Sequence, residues 1–227
     1  MSLHKIISDL VSKLKKEEFL LDSNIPLNYL LLFLVNKYFF LLNGLLVLRK
    51  VSYISPKSVI KCRSKIKVGA NFSVDKFCHI DALSESGIKA GNNVSIGKNT
   101  VIECSGSMKC IGKGLCIGNN VGLGTHGFLG CAGGIEIGND VIMGNYVSMH
   151  SENHNFNDLE LPIRVQGVSR KGIRIGNNCW IGAKVTILDG AVIGDGSIVA
   201  AGAVVRGVFP ANSVIGGVPA RIIKSRV

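Results

Sequence analysis

Two of the chain's five histidines, His150 and His154, stand four residues apart in the stretch HSENHNF. Imidazole titrates near neutral pH, so it can take a proton from a hydroxyl group and give it back within one turnover. General-base help of this kind is worth roughly 10²–10⁴-fold in rate. Glu152 and Asp158 are close enough in sequence to orient such a ring and fix its tautomer. The other histidines are His4, His79 and His126, the last in LGTHGF. By number, His79, His126, His150 and His154 would also suffice for a three-histidine zinc site. A lone loop histidine is otherwise a solvated side chain, so the surrounding elements must decide among these readings.

Those elements are set by a six-residue rhythm. From Ile175 the chain reads IGNNCW, IGAKVT, ILDGAV, IGDGSI, VAAGAV, with an aliphatic residue opening each unit at Ile175, Ile181, Ile187, Ile193 and Val199. Gly176, Gly182 and Gly194 fill the second place, and the fifth is small or short at Cys179, Val185, Ala191, Ser197 and Ala203. The same phase runs upstream through IGNNVG, LGTHGF, IGNDVI and MGNYVS, and more weakly from Val68 to Ile102. An inward aliphatic at each sixth residue suits short flat strands joined by tight corners. Gly, Asn and Asp suit such corners because they accept positive φ. Helical spacing and plain alternation do not explain the run, and a turn-rich β-sandwich does not hold one phase over many units. The period predicts a solenoid in which each coil buries its face on the next.

The solenoid is interrupted twice, briefly over residues 105–114 and at length over residues 150–172. Long excursions from a repeat are usually functional or disordered. The longer one holds His150 and His154, which makes function the better reading. Ahead of the repeats, residues 1–24 read as an amphipathic helix, with Ile6, Ile7, Leu10, Leu14 and Leu20 set against Lys13, Lys15, Lys16, Glu17 and Glu18. Ile25 to Leu48 is strongly apolar, but Asn36 and Lys37 sit near its middle and Asn43-Gly44 suggests a break. One or two helices lying on a membrane or capping the first coil are expected, ahead of a transmembrane span. The organisation is therefore a helical apolar segment at 1–57, a β-solenoid at 58–217 with its loop at 150–172, and a basic tail at 218–227.

Composition agrees with one main domain plus an appendage. Of 227 residues, 47% are hydrophobic and only 6% aromatic, as a core of stacked Ile, Val and Leu requires. The net charge of +11 favours polyanions: nucleic acid, an anionic membrane face or a phosphate-rich ligand. No nucleic-acid motif or aromatic-interleaved basic stripe is present, so a nucleic-acid partner is not expected. Seven cysteines, odd in number and with no CxxC pair, point to a reducing cytoplasm.

The rhythm resembles that of the hexapeptide-repeat proteins, which fold as left-handed parallel β-helices with three hexapeptides per triangular coil. Within that class, NNCWIGAKVTILDGAVIGDGSIVAAGAVV (177–205) and SVIGGVPARIIK (213–224) resemble the acetyl-CoA-dependent O-acetyltransferases acting on sugars and cell-surface polysaccharides, such as the galactoside and maltose enzymes. The resemblance implies that His154 is the catalytic base, with Glu152 a candidate orienter. It implies an acceptor site at His126 and His150, and an acetyl-CoA strip at Trp180, Ala183, Ala201, Arg206, Gly207, Arg221 and Lys224. It also implies a homotrimer with sites between solenoids, and no metal. One departure concerns the Thr-Lys-Asp often found after the last full unit, where this chain reads Arg206-Gly207-Val208; Arg206 stands in for the phosphate lysine. The expectation is an O-acetyltransferase for a sugar hydroxyl of a surface glycan or its precursor. It is cytoplasmic, with a peripheral membrane contact through residues 1–50. The competing readings are a γ-class carbonic anhydrase, a nucleotide-sugar N-acetyltransferase, which would usually add a nucleotide-binding domain, and a non-catalytic scaffold.

Overall fold

The computed structural model describes residues 3–15, 18 and 20–226. Two compact units emerge, residues 1–39 and 40–227. Helix α1 spans Leu3–Lys15 and helix α2 spans Leu27–Leu48. Lys16 and Glu17 of the expected amphipathic segment lie outside the described residues.

The second unit is a left-handed parallel β-helix. Among the described residues, short strands stack into three faces of nine, seven and seven strands. Every pairing between coils is parallel, as at Ile135↔Ile173 and Phe128↔Ser148. The inward residues of all three faces form one core in which Ile54, Ile102, Met149, Ile181, Ile187 and Val205 have no exposed surface. That core is the aliphatic place of the hexapeptide, read in three dimensions.

The corners explain the rest of the repeat. Asn93, Asn120, Asp140 and Asn178 take φ between 53° and 58° at one corner of successive coils. The amide one residue earlier caps the coil next to it. Asn119 N donates to Asn139 Oδ1 at 2.8 Å, Asn139 N to Asn177 Oδ1 at 2.8 Å, and Asn177 N to Asp195 Oδ1 at 2.6 Å. The glycine in the second place is steric in origin: a Cβ on Gly182 would lie 2.6 Å from Ala201 N of the next coil.

Three boundaries differ from the sequence reading. First, α2 is unbroken through Asn43-Gly44. Asn43 Nδ2 donates to Ile54 O at 3.1 Å, and a Cβ on Gly44 would stand 1.9 Å from Ser52 O, so this pair seats the helix on the first coil. Second, the first strand is Tyr53–Ile54, paired with Ser73–Val74, so the solenoid begins before residue 58. Third, residues Ala220–Ser225 form an antiparallel strand on Ser213–Gly217. The stretch expected as a tail closes the last coil, because its edge would otherwise be an unpaired ladder.

Candidate functional site

Both excursions leave the solenoid at the same corner, between the second and third faces. The shorter one follows strand Val101–Glu103 and the longer one follows Ser148–His150. They are two coils apart, since Val101↔Phe128 and Phe128↔Ser148 are successive pairings.

The long loop is rooted at both ends. Ser151 is fully buried, donates to Gly130 O at 2.7 Å and accepts from Gly133 N at 2.9 Å. A Cβ on Gly133 would come within 1.8 Å of Ser151 O, so glycine is required where the loop departs. On return, the Asp189 carboxylate accepts from Lys171 N at 2.9 Å and from Gly172 N at 2.7 Å. Between these roots, Asn153–His154 pairs antiparallel with Val168–Ser169. Farther out, Gln166 Nε2 donates to Asp158 O at 2.8 Å and Leu161 O at 2.7 Å, while its Oε1 accepts from Asp158 N at 3.0 Å. The excursion is a small ordered hairpin, with Phe156, Leu159, Leu161, Ile163 and Val165 exposed beyond it.

His154 sits on the first hairpin strand with its side chain exposed. Among the described residues no side chain holds its ring. Glu152, the expected orienter, is engaged elsewhere: its Oε2 accepts from Arg170 Nε at 2.6 Å, across the hairpin. Asp158 Oδ1 accepts from the backbone of Glu160 at 2.8 Å and so shapes the loop's tip. Arg170 also donates through Nη1 to Cys110 Sγ at 3.1 Å and to Ile111 O at 3.4 Å, which ties the two excursions together. Its guanidinium pKa is raised, chiefly by the hydrogen bond to Glu152.

His126 and His150 lie elsewhere on the coil. His126 is a corner residue between the first and second faces, with φ 57°. Asn99 Nδ2 donates to its Nε2 at 2.9 Å, which puts the ring proton on Nδ1, 3.1 Å from Thr125 Oγ1. Tyr146 of the next coil stacks on the ring at 4.8 Å. Both ring nitrogens are thus committed, an arrangement that suits a corner better than an acceptor contact. His150 faces outward on the second face, 2.7 Å from Ser148 Oγ and beside Phe128 at 5.3 Å.

The residues expected to hold acetyl-CoA lie at two corners and on the first face. Ala183 and Ala201 stack at the corner between the first and second faces, where Gly202 N donates to Ala183 O at 2.9 Å. Trp180 is on the first face, 56% exposed, paired with Ile142 and Ile198. Arg221 and Lys224 lie on the strand that extends this same face. Arg206 and Gly207 sit one corner farther on, between strands Val204–Val205 and Val208–Phe209. That is the corner carrying the His154 loop, so one chain keeps the loop and the Ala183–Ala201 column apart by the width of a face.

The bacterial transferase hexapeptide family, described as six repeats, matches residues 172–207. The matched stretch is hexapeptide-repeat sequence. Among its relatives, a probable acetyltransferase of Mycobacterium tuberculosis is 43% identical over 74 residues, covering 33% of this chain and 25% of the relative. A putative lipopolysaccharide biosynthesis O-acetyl transferase of Escherichia coli is 45% identical over 64 residues, covering 28% and 33%. The galactoside O-acetyltransferase of Escherichia coli is 50% identical over 52 residues, covering 23% and 26%. These matches span about a quarter to a third of the relatives' length. Among solved structures, a mutant of AntD, an N-acyltransferase from Bacillus cereus in complex with dTDP and coenzyme A, superposes with TM-score 0.57 at 22% identity, covering 78% of this chain and 83% of that one. The likeness is one of fold: the hexapeptide solenoid extends over most of the chain.

Sequence reasoning did not anticipate Arg170, Gln166 or Asp189. Their partners lie across a loop whose path has no period, so spacing offered no signal for them.

Proposed function

We propose that this hexapeptide-repeat protein transfers an acetyl group from acetyl-CoA to a sugar hydroxyl of a surface glycan or its precursor, with His154 as general base. The observation that carries the reading is the position of His154: an exposed imidazole on a rooted hairpin, the longest departure from the solenoid. The acetyltransferase names of its relatives support the donor, and two of the three cited are O-acetyltransferases. In the proposed step His154 takes the acceptor hydroxyl proton as the oxygen attacks the thioester carbonyl. Backbone N–H groups hold the oxyanion. The tetrahedral intermediate expels the CoA thiolate, which recovers the proton from the imidazolium. No protein nucleophile is needed, because the thioester is already activated.

The donor would lie along Trp180, Ala183 and Ala201, with Arg221, Lys224 and Arg206 near its phosphates. Guanidinium and ammonium groups suit that ligand. The separation of the two corners favours a homotrimer in which one chain's loop meets its neighbour's Ala183–Ala201 column. The exposed Phe156, Leu159 and Ile163 would be covered there. We place this work in the cytoplasm. The test is CoA thiol release from acetyl-CoA across a panel of sugars and amino sugars, with products analysed by mass. Transfer to hydroxyl acceptors supports the reading. Transfer to amino sugars alone replaces it with N-acylation, and absence of thiol release with every acceptor removes it.

A further inference from the structure

We propose that the N-terminal end of the solenoid docks on an anionic lipid bilayer, through a crown of lysines and arginines on its first coils together with the exposed Leu42, Leu45 and Leu46 of α2. The argument begins with charge. Between Arg49 and Lys89 the sequence holds nine basic residues and three acidic ones, so a net +6 of the chain's +11 falls in these coils. Lys57, Lys61, Arg63, Lys65 and Lys67 are all exposed. None of the nine forms an ion pair among the described residues; Lys50 donates to Val68 O and Lys65 to Glu85 O, both backbone. Unpaired cations at this density repel one another unless a polyanion faces them.

The second observation is apolar surface among those charges. In the same unit Leu42, Leu45, Leu46, Val51, Val59 and Phe77 are 40–79% exposed. Lys57 Nζ lies 5.6 Å from the centre of the Phe77 ring. Basic groups interleaved with exposed Leu, Val and Phe match a headgroup layer over acyl chains. The most apolar 18 residues of α2 have mean hydropathy 1.9, and only 11% of them are buried.

The geometry favours docking over spanning. Asn43, Gly44, Val47 and Leu48 are held by the first coil, which keeps the last turns of α2 with the solenoid. The helix before Asn43 is about 24 Å long, short of the roughly 30 Å of a bilayer core. Asn36 and Lys37 fall within that length, Lys37 with its ammonium 5.7 Å from the Phe33 ring. Burying that charge at mid-bilayer is unfavourable, whereas at the interface it reaches water.

The experiment is flotation of the full chain with vesicles of phosphatidylcholine alone or mixed with phosphatidylglycerol. Binding to the mixed vesicles only, released by high salt, is expected. Each basic residue near such a surface is worth about fivefold in binding. Lys61→Gln with Lys67→Gln should therefore weaken flotation by about 25-fold, and Leu45→Ser with Leu46→Ser should also weaken it. Unchanged thermal unfolding and gel-filtration elution establish that both variants are folded. The proposal is overturned by equal binding to both vesicle types, by resistance to salt and alkaline washes, or by absence of flotation. It is likewise overturned if Leu45→Ser with Leu46→Ser dissociates an oligomer, or if nucleic acid co-elutes and blocks the vesicles.

Discussion

Arg170 Nε donates to Glu152 Oε2 at 2.6 Å, and both side chains are largely shielded, at 18% and 28% exposure. The pair spans the base of the hairpin that presents His154, while the other arm of the same guanidinium reaches Cys110 and Ile111. One arginine therefore fixes the loop to itself and to the neighbouring excursion. Removing it leaves a shielded carboxylate without its partner, which costs more than the pair contributes.

Arg170→Met should accordingly loosen the hairpin without unfolding the solenoid. The expected outcome is faster amide exchange across residues 152–170 and a several-fold fall in acetyl transfer, with acetyl-CoA affinity unchanged. Glu152→Gln, which retains a hydrogen-bond acceptor, should show a smaller effect in both measurements. Exchange in the loop identical to wild type would deny the pair its positioning role.

His154→Ala should lower acetyl transfer by about 10²-fold or more while leaving CoA binding nearly intact, as loss of a general base does. Single-turnover kinetics beside CoA calorimetry measure both. Turnover within a few-fold of wild type would pass the role to His150, because His126 has both ring nitrogens engaged.

The solenoid was legible in the sequence because its physics is local and repeated. Ile181 and Ile187 open hexapeptides and are fully buried, and Asn178 stands at a left-handed corner as its type suggests. The loop's existence and its histidines were equally visible, since a broken period announces both. Its internal wiring was not. Glu152 faces Arg170 through a pairing 18 residues apart, and Arg170 meets Cys110 across 60. The Asn43-Gly44 pair misled for a physical reason: the same small, polar residues that break a helix also allow a close backbone contact, here with Ser52.

Burial raises the thiol pKa of Cys78 and of Cys179. A raised folded-state pKa keeps the thiol neutral in the native protein, so its contribution to stability is complete below the ordinary thiol range. It is lost as pH rises through that range, where the unfolded chain ionises first. The midpoint of denaturant unfolding should thus fall as pH passes above about 9, and Cys78→Ala with Cys179→Ala should flatten that dependence. In the native protein, alkylation should label Cys62, Cys110 and Cys116, the exposed thiols, well before the buried four. Rapid labelling of Cys78 under native conditions would contradict the packing of this core.

Asp189 is 8% exposed and its carboxylate accepts from Lys171 N and Gly172 N where the loop rejoins the third face. Asp189→Ala strands those two donors at a largely closed site, at a cost of about 1–3 kcal/mol. A fall in melting temperature is expected, with Asp189→Asn in between because its amide oxygen still accepts. A melting temperature within error of wild type for Asp189→Ala would mean that water replaces the carboxylate without loss.

The last prediction concerns the two corners. In one chain, His154 and the Ala183–Ala201 column stand on opposite edges of the second face. From Tyr146 at one edge to His150 at the other is about 13 Å of extended backbone. If the reacting groups come from neighbouring chains, each can be disabled separately. Ala201→Leu should obstruct the donor strip, which calorimetry would register as weakened CoA binding. His154→Ala should remove the base and leave that binding alone. Either variant by itself should be nearly inactive. Unfolding and reassembling the two together at equal amounts builds mixed rings, and about a quarter of all sites, those of unmixed rings included, then pair an intact loop with an intact column. Recovery of roughly that share of wild-type turnover is the expected result. A mixture as inactive as its components, with mixed oligomers demonstrated by a mass tag on one variant, would mean that each site is built within a single chain.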